Sequence, residues 1–145
     1  MQSVLFVCLG NICRSPLADG IAREFVKKYD LDVVVDSAGT GDWHIGEMPC
    51  ANSIKVAKLH NIDISMLRAR QVKKEDFTKF ELIVALDSSN YNDLKKMGAT
   101  NLVKLGDYGY DGADVPDPYF FKGFNGFEKV YEMIDVCVRN LFDVE

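Results

Sequence analysis

The sequence has little histidine, no excess of positive charge and no long apolar run. His44 and His60 are its two histidines. Neither stands at a ligand spacing from a cysteine or carboxylate, so no metal site and no cofactor are expected, and both read as neutral surface or core residues. No apolar stretch approaches the ~20 residues of a membrane span, and no membrane association is expected. The 17 Lys and Arg are outnumbered by 22 Asp and Glu, for a formal net charge of −5. That excludes the clustered basic footprint of a nucleic-acid binder. The pairs Lys27-Lys28, Lys73-Lys74 and Lys95-Lys96 each sit near acidic residues and read as solvated helix faces. The four cysteines, Cys8, Cys13, Cys50 and Cys137, make no secreted-type framework in a chain of 145 residues. Only Gln2 and Ser3 stand between Met1 and the first apolar run, so no leader peptide is expected. A cytoplasmic, reduced protein is expected, and each cysteine then needs its own explanation.

What is present is alternation. Val4–Cys8, Val33–Val35 and Leu82–Leu86 are short apolar runs that read as buried strands, and Leu102–Leu105 reads as a fourth, shorter strand. The second is closed by Asp36-Ser37-Ala38-Gly39. Between and after them lie helical spacings: Leu17, Ile21 and Phe25 in a helix over 15–29, then helices over 50–60 and 127–141. A short helical turn is expected over 74–77. A further helix carrying Leu94 and Met97 is capped by Asp87, Ser88 or Ser89. Residues 62–71 are ambiguous. Strands alternating with helices predict an α/β fold, a parallel sheet covered on both faces, in one domain spanning 1–145. Ligands bind beyond the carboxyl ends of such strands, where Cys8 and Asp87 lie. The stretch 106–126, rich in Gly, Pro and Asp, is too long for an idle connection.

Cys8-Leu9-Gly10-Asn11-Ile12-Cys13-Arg14-Ser15 is wedged between the first strand and the first helix. A helix N-terminus offers unpaired N–H groups and partial positive charge to a dianion, and a loop curling round to it adds further donors. Gly10 and Asn11 tolerate the left-handed backbone of such a curl. Arg14 can grip two phosphate oxygens with its planar fork. Helix N-termini and nearby arginines favour the thiolate of a cysteine, so Cys8 is expected to be a nucleophile facing phosphorus. Ser15 can donate a hydrogen bond to its sulfur. The bland alternative, Cys8 as a core residue and Ser15 as an ordinary cap, needs all these features to coincide for no reason.

Cleavage of a phosphoester by a thiolate needs a proton for the leaving oxygen. Asp117, between Pro116 and Pro118, is the candidate, although Asp-Pro also serves in simple turns. Trp43 and Tyr119 lie in long loops and either flank a cleft or anchor those loops. Cys50 and Cys137 are expected to pack as small hydrophobes. Cys13, curled close to Cys8, either packs or forms a reversible disulfide with it.

With these residues assembled, the chain resembles the low-molecular-weight protein tyrosine phosphatase family over nearly its whole length. The resemblance is carried by Val7–Pro16, Asp36-Ser37-Ala38-Gly39-Thr40, Ala69-Arg70-Gln71, Asp87-Ser88-Ser89-Asn90 and Val115-Pro116-Asp117-Pro118-Tyr119. It implies a four-stranded parallel sheet flanked by helices, with a phosphate-binding loop between strand 1 and helix 1, and no metal. By this resemblance Cys8 is the nucleophile of a cysteinyl-phosphate mechanism, Arg14 binds phosphate, and Asp117 is the acid and then the base. Leu9, Gly10, Asn11, Ile12, Cys13 and Ser15 form the loop, braced by Asn11 and Ser37. Leu9, Ile12, Trp43 and Tyr119 wall the pocket for a phenyl ring, with His44 at its edge. The implied substrates are phosphotyrosine-containing proteins or peptides, with an autophosphorylating tyrosine kinase among the partners the resemblance allows.

Three departures stand out. Leu67 replaces a histidine that supports the loop asparagine in relatives, Phe120 replaces a second tyrosine, and His44 replaces an acidic or amide side chain. Arsenate reduction on the same fold needs two resolving cysteines on a mobile segment, and Cys50 and Cys137 are far apart in sequence. Members that prefer phosphoarginine carry Thr where Ile12 stands. A non-catalytic binding module would be expected to have lost Cys8 or Asp117.

Overall fold

The computed structural model describes residues 1–118 and 123–144. Its centre is β1 (Ser3–Cys8), which pairs in parallel with β2 (Val34–Gly39) on one side and β3 (Leu82–Ala85) on the other. β4 (Leu102–Lys104) extends the sheet beyond β3, giving the order β2-β1-β3-β4. The helices are α1 (Arg14–Lys28), α2 (Ala51–Leu59), α3 (Asp76–Lys79), α4 (Ser88–Met97) and α5 (Asn125–Phe142). This is the four-stranded parallel α/β sheet expected from the alternation and the resemblance.

Successive side chains on a strand face opposite ways, and β1 uses both faces. Val4, Phe6 and Cys8 join Leu17 and Ile21 of α1 and Ile134 and Val138 of α5 in one apolar layer. Leu5 and Val7 turn to the other side, against Phe80, Ile83 and Leu94. Phe6 is fully buried, a burial that contributes about 1.5–3 kcal/mol. The same alternation puts Cys8 on the α1 face, at the carboxyl end of its strand.

Several boundaries differ from expectation, each for a physical reason. The second strand runs on through Gly39, because Asp36, Ser37, Ala38 and Gly39 are in register with Leu5, Phe6, Val7 and Cys8. Polar residues that look like a closing turn are instead part of the sheet. Over 62–71 the chain turns back so that Gln71 bridges Gly39, with Val72 N–H donating to the Gly39 carbonyl (2.8 Å). The short helix begins at Asp76, whose carboxylate accepts the Lys73 N–H (2.8 Å) and closes the preceding turn. β4 stops at Lys104, where Leu105–Asp107 tighten into a 3-10 turn. Of the three candidate caps Asp87 serves, accepting the Asn90 N–H at 2.8 Å, while Gly98 ends α4 at φ 107. No helix among the described residues is long and apolar enough to cross a membrane.

Candidate active site

The strand order reverses direction between β1 and β3, and clefts in open α/β sheets form at such points. The segment from Cys8 to Arg14 crosses here. Asn11 takes a left-handed conformation, φ 56, and turns its backbone N–H to the Cys8 sulfur at 3.3 Å. Gly10 is not left-handed. Room is instead critical at Gly39 on the adjacent strand, where a Cβ would come within 2.8 Å of the Leu9 carbonyl oxygen. Ser15 Oγ lies 3.0 Å from Cys8 Sγ. Because this hydroxyl accepts the Asn11 amide N–H (2.7 Å), its own proton is available to the sulfur. α1 begins at Arg14 with no side-chain cap and no acidic residue in its first turn, which leaves its N-terminal field open to an anion.

Arg14 is almost wholly buried, 4% exposed, yet its charge is matched. Nη1 donates to Asp87 Oδ2 (2.7 Å) and to the Val115 carbonyl (3.0 Å), and Nη2 lies 4.0 Å from Asp117 Oδ2. Burial disfavours the charged guanidinium, but the neighbouring Cys8, Asp87 and Asp117 outweigh it and raise its pKa above the ordinary value. The chain thus brings Asp117 to the arginine from a loop far away in sequence.

Cys8, Leu9, Gly10, Ile12, Cys13 and Arg14 line a cleft of about 290 Å³ together with Trp43, His44 and Asp117. Trp43 is 67% exposed, standing on the rim. His44 Nδ1 is 2.8 Å from Glu47 Oε2. Asn11, Ser15 and Ser37 do not line the cleft; they are buried behind it. Tyr119 and Phe120 lie outside the described residues. Cys137 is fully buried, as expected of a small hydrophobe. Cys50 corrects the expectation of plain packing: its sulfur accepts the Cys13 S–H at 2.7 Å, because the start of α2 is drawn against the loop by Cys50 N–H donating to the Ile12 carbonyl (2.7 Å).

Asn11 and Ser37 were expected as braces of the loop, but Arg70 and Asp19, which hold those two, and Arg23, which pairs with Asp19, were not. Asn11 Oδ1 accepts the Arg70 backbone N–H (3.0 Å), and Nδ2 donates to Ser37 Oγ (3.0 Å) as well as Ser15. Leu67 therefore leaves Asn11 held without a histidine. Ser37 in turn donates to Asp19 Oδ2 (2.8 Å), and Arg23 covers the other Asp19 oxygen. Burial raises the Asp19 pKa, and the pairing with Arg23 and Ser37 opposes that rise. An acidic residue one helical turn from Ser15 was a signal in the sequence, as was Asp87 between β3 and α4.

A buried arginine and a cysteine bracket a strand-to-helix loop at the switch point of a parallel sheet, which defines an α/β protein with a cation and a sulfur facing one cleft. Residues 3–144 match the family model described as low molecular weight phosphotyrosine protein phosphatase. The chain is 41% identical over 149 aligned positions to the low molecular weight protein-tyrosine-phosphatase YfkJ of Bacillus subtilis, covering 97% of this chain and 94% of that one. Superposed on the crystal structure of YfkJ it gives a TM-score of 0.90 at 38% identity, over 99% of this chain and 93% of that one. PtpA of Staphylococcus aureus, named as a protein of the same kind, is 39% identical over 99% of this chain and 93% of its own length. The structure of DARP, a Drosophila arginine phosphatase, superposes with a TM-score of 0.89 at 33% identity, over 99% and 96% of the two chains. The chain belongs to the low molecular weight phosphotyrosine protein phosphatase family, and it is an enzyme.

Proposed function

We propose that this enzyme hydrolyses phosphotyrosine in proteins or peptides through a cysteinyl-phosphate on Cys8. The observation that carries this reading is the convergence of the Asn11 N–H and the Ser15 hydroxyl on the Cys8 sulfur, beside the uncapped start of α1 and Arg14. In the first step the thiolate attacks phosphorus in line, and Asp117 gives its proton to the departing tyrosyl oxygen. In the second, Asp117 takes a proton from water, which attacks phosphorus and frees the sulfur. Arg14 and the loop amides offset the charge on the equatorial oxygens throughout, so positioning and electrostatics supply most of the catalysis. Leu9, Ile12, Trp43 and Tyr119 hold the ring, with His44 at the edge. Gly10 and Cys13 complete the loop, and Asn11 and Ser37 brace it.

The cytoplasm is the proposed site of action, and an autophosphorylating tyrosine kinase is a proposed partner. The likeness to an arginine phosphatase raises phosphoarginine as a second substrate class; the apolar wall at Ile12 favours tyrosine. Matched phosphotyrosine and phosphoarginine peptides given to wild type and Cys8→Ser test both points. Turnover of the tyrosine peptide by wild type alone is expected. Equal rates from the two proteins exclude Cys8 as nucleophile, and preference for phosphoarginine overturns the substrate.

A further inference from the structure

Cys13 and Cys50 stand at the starts of α1 and α2, held face to face by two hydrogen bonds that the α2 side donates to loop carbonyls. Cys50 N–H donates to the Ile12 carbonyl at 2.7 Å, and Ser53 Oγ donates to the Cys13 carbonyl at 3.0 Å. The two sulfurs are 2.7 Å apart, against about 2.05 Å in a disulfide, so bonding them asks for little movement. Both residues are half-buried. A separate cleft of about 320 Å³, bounded by Asn52, Pro118 and Phe127, opens on both of them, and Cys8 does not line it.

The pair divides its protons unequally. The hydrogen bond from Cys13 brings the Cys50 thiol down to about 6; burial opposes this and Ser53, 3.0 Å from the sulfur, reinforces it. Cys13, as the donor in that bond and partly buried, is pushed up. Both directions favour Cys50 as the attacking sulfur and Cys13 as the one that resolves it.

We propose that Cys13 and Cys50 form a reversible disulfide when the protein meets hydrogen peroxide, at a site distinct from Cys8. The Cys50 thiolate attacks one peroxide oxygen, the O–O bond breaks, and a sulfenic acid forms on Cys50 as hydroxide leaves and is protonated to water. The Cys13 sulfur then attacks the Cys50 sulfur and displaces hydroxide, which takes the Cys13 proton as a second water. Two thiols and one peroxide give one disulfide and two waters. The bond fastens the residue before Arg14 to α2 and occupies Cys13, so that Cys8 loses its neighbour in the loop as a partner. This chemistry is independent of the phosphatase reading.

The test is disulfide mapping of the full-length reduced protein after stepwise addition of hydrogen peroxide. Trypsin leaves Cys8 and Cys13 together in the peptide ending at Arg14, and Cys50 in one ending at Lys55. The expected product joins these two peptides, has lost two hydrogens, and fragments to show Cys13 bound to Cys50; a dithiol separates it. Cys50→Ser and Cys50→Ala are expected to abolish it. A bond closed between Cys8 and Cys13 in wild type overturns the proposal. So does oxidation of Cys8 to the sulfinic acid with no Cys13–Cys50 link formed.

Discussion

Asp87 holds Arg14 with one carboxylate oxygen and starts a helix with the other: Oδ2 accepts Arg14 Nη1 at 2.7 Å, while Oδ1 accepts the Asn90 N–H at 2.8 Å. Arg14, the proposed phosphate-binding cation, is thereby fixed to the first turn of α4. Asn is as good a cap as Asp but carries no charge. Asp87→Asn is therefore expected to weaken inhibition by inorganic phosphate by roughly tenfold, a loss of about 1.4 kcal/mol, with little change in stability. Asp87→Ala is expected to lose about 1 kcal/mol of stability as well. Phosphate inhibition constants and urea melts of the two variants separate the roles.

Asn11 combines a strained backbone with three side-chain hydrogen bonds, to Ser15, Ser37 and Arg70. Asn11→Ala is expected to cost about 1–3 kcal/mol in thermal unfolding and to lower kcat on an aryl phosphate. Asn11→Gly relieves the left-handed backbone without restoring the bonds. It should regain part of the stability and none of the rate.

Asp76 grips Arg70 with both oxygens, each at 3.0 Å. Burial pushes its carboxyl up, but the bonds from Arg70 and the Lys73 N–H prevail and hold its pKa below the usual range. A depressed folded pKa gives stability that is present above the unfolded value and lost as pH falls through the folded one. Asp76→Asn is expected to cost about 1–3 kcal/mol at neutral pH and to unfold with a shallower pH dependence than wild type below about pH 4. Unfolding free energies of both proteins across acid pH check this.

Asp117, the proposed acid, lies 4.0 Å from Arg14. Asp117→Asn keeps the shape and removes the proton. A fall in kcat of roughly 10²–10⁴ is expected on a phosphotyrosine peptide, with a smaller fall on an aryl phosphate whose leaving group needs no proton. Equal losses on the two substrates would argue for a structural role.

The sheet was legible because each strand contains a short apolar stretch, and the loop because Cys8, Asn11, Arg14 and Ser15 fall within one short segment at a strand-to-helix junction. Boundaries failed where polar residues continue a strand: Asp36 and Ser37 look like a turn until they are paired with Leu5 and Phe6. The hidden supports failed for a different reason. Arg70 and Asp87 reach Asn11 and Arg14, and Asp19 reaches Ser37, through bonds between segments far apart in sequence, and a single chain's pattern does not encode which carboxylate meets which donor. Cys50 is the same case: its helix was expected, but its sulfur's partner depends on how the start of α2 meets the loop.

The proposed reaction requires a covalent phosphoenzyme. The most direct measurement is rapid acid quenching of the enzyme with excess phosphotyrosine peptide, followed by mass mapping of the phosphate. It should be found on the Cys8 sulfur in wild type and be absent from Cys8→Ser. Steady turnover of the peptide with no phosphate on Cys8, or with phosphate on another residue, would contradict it.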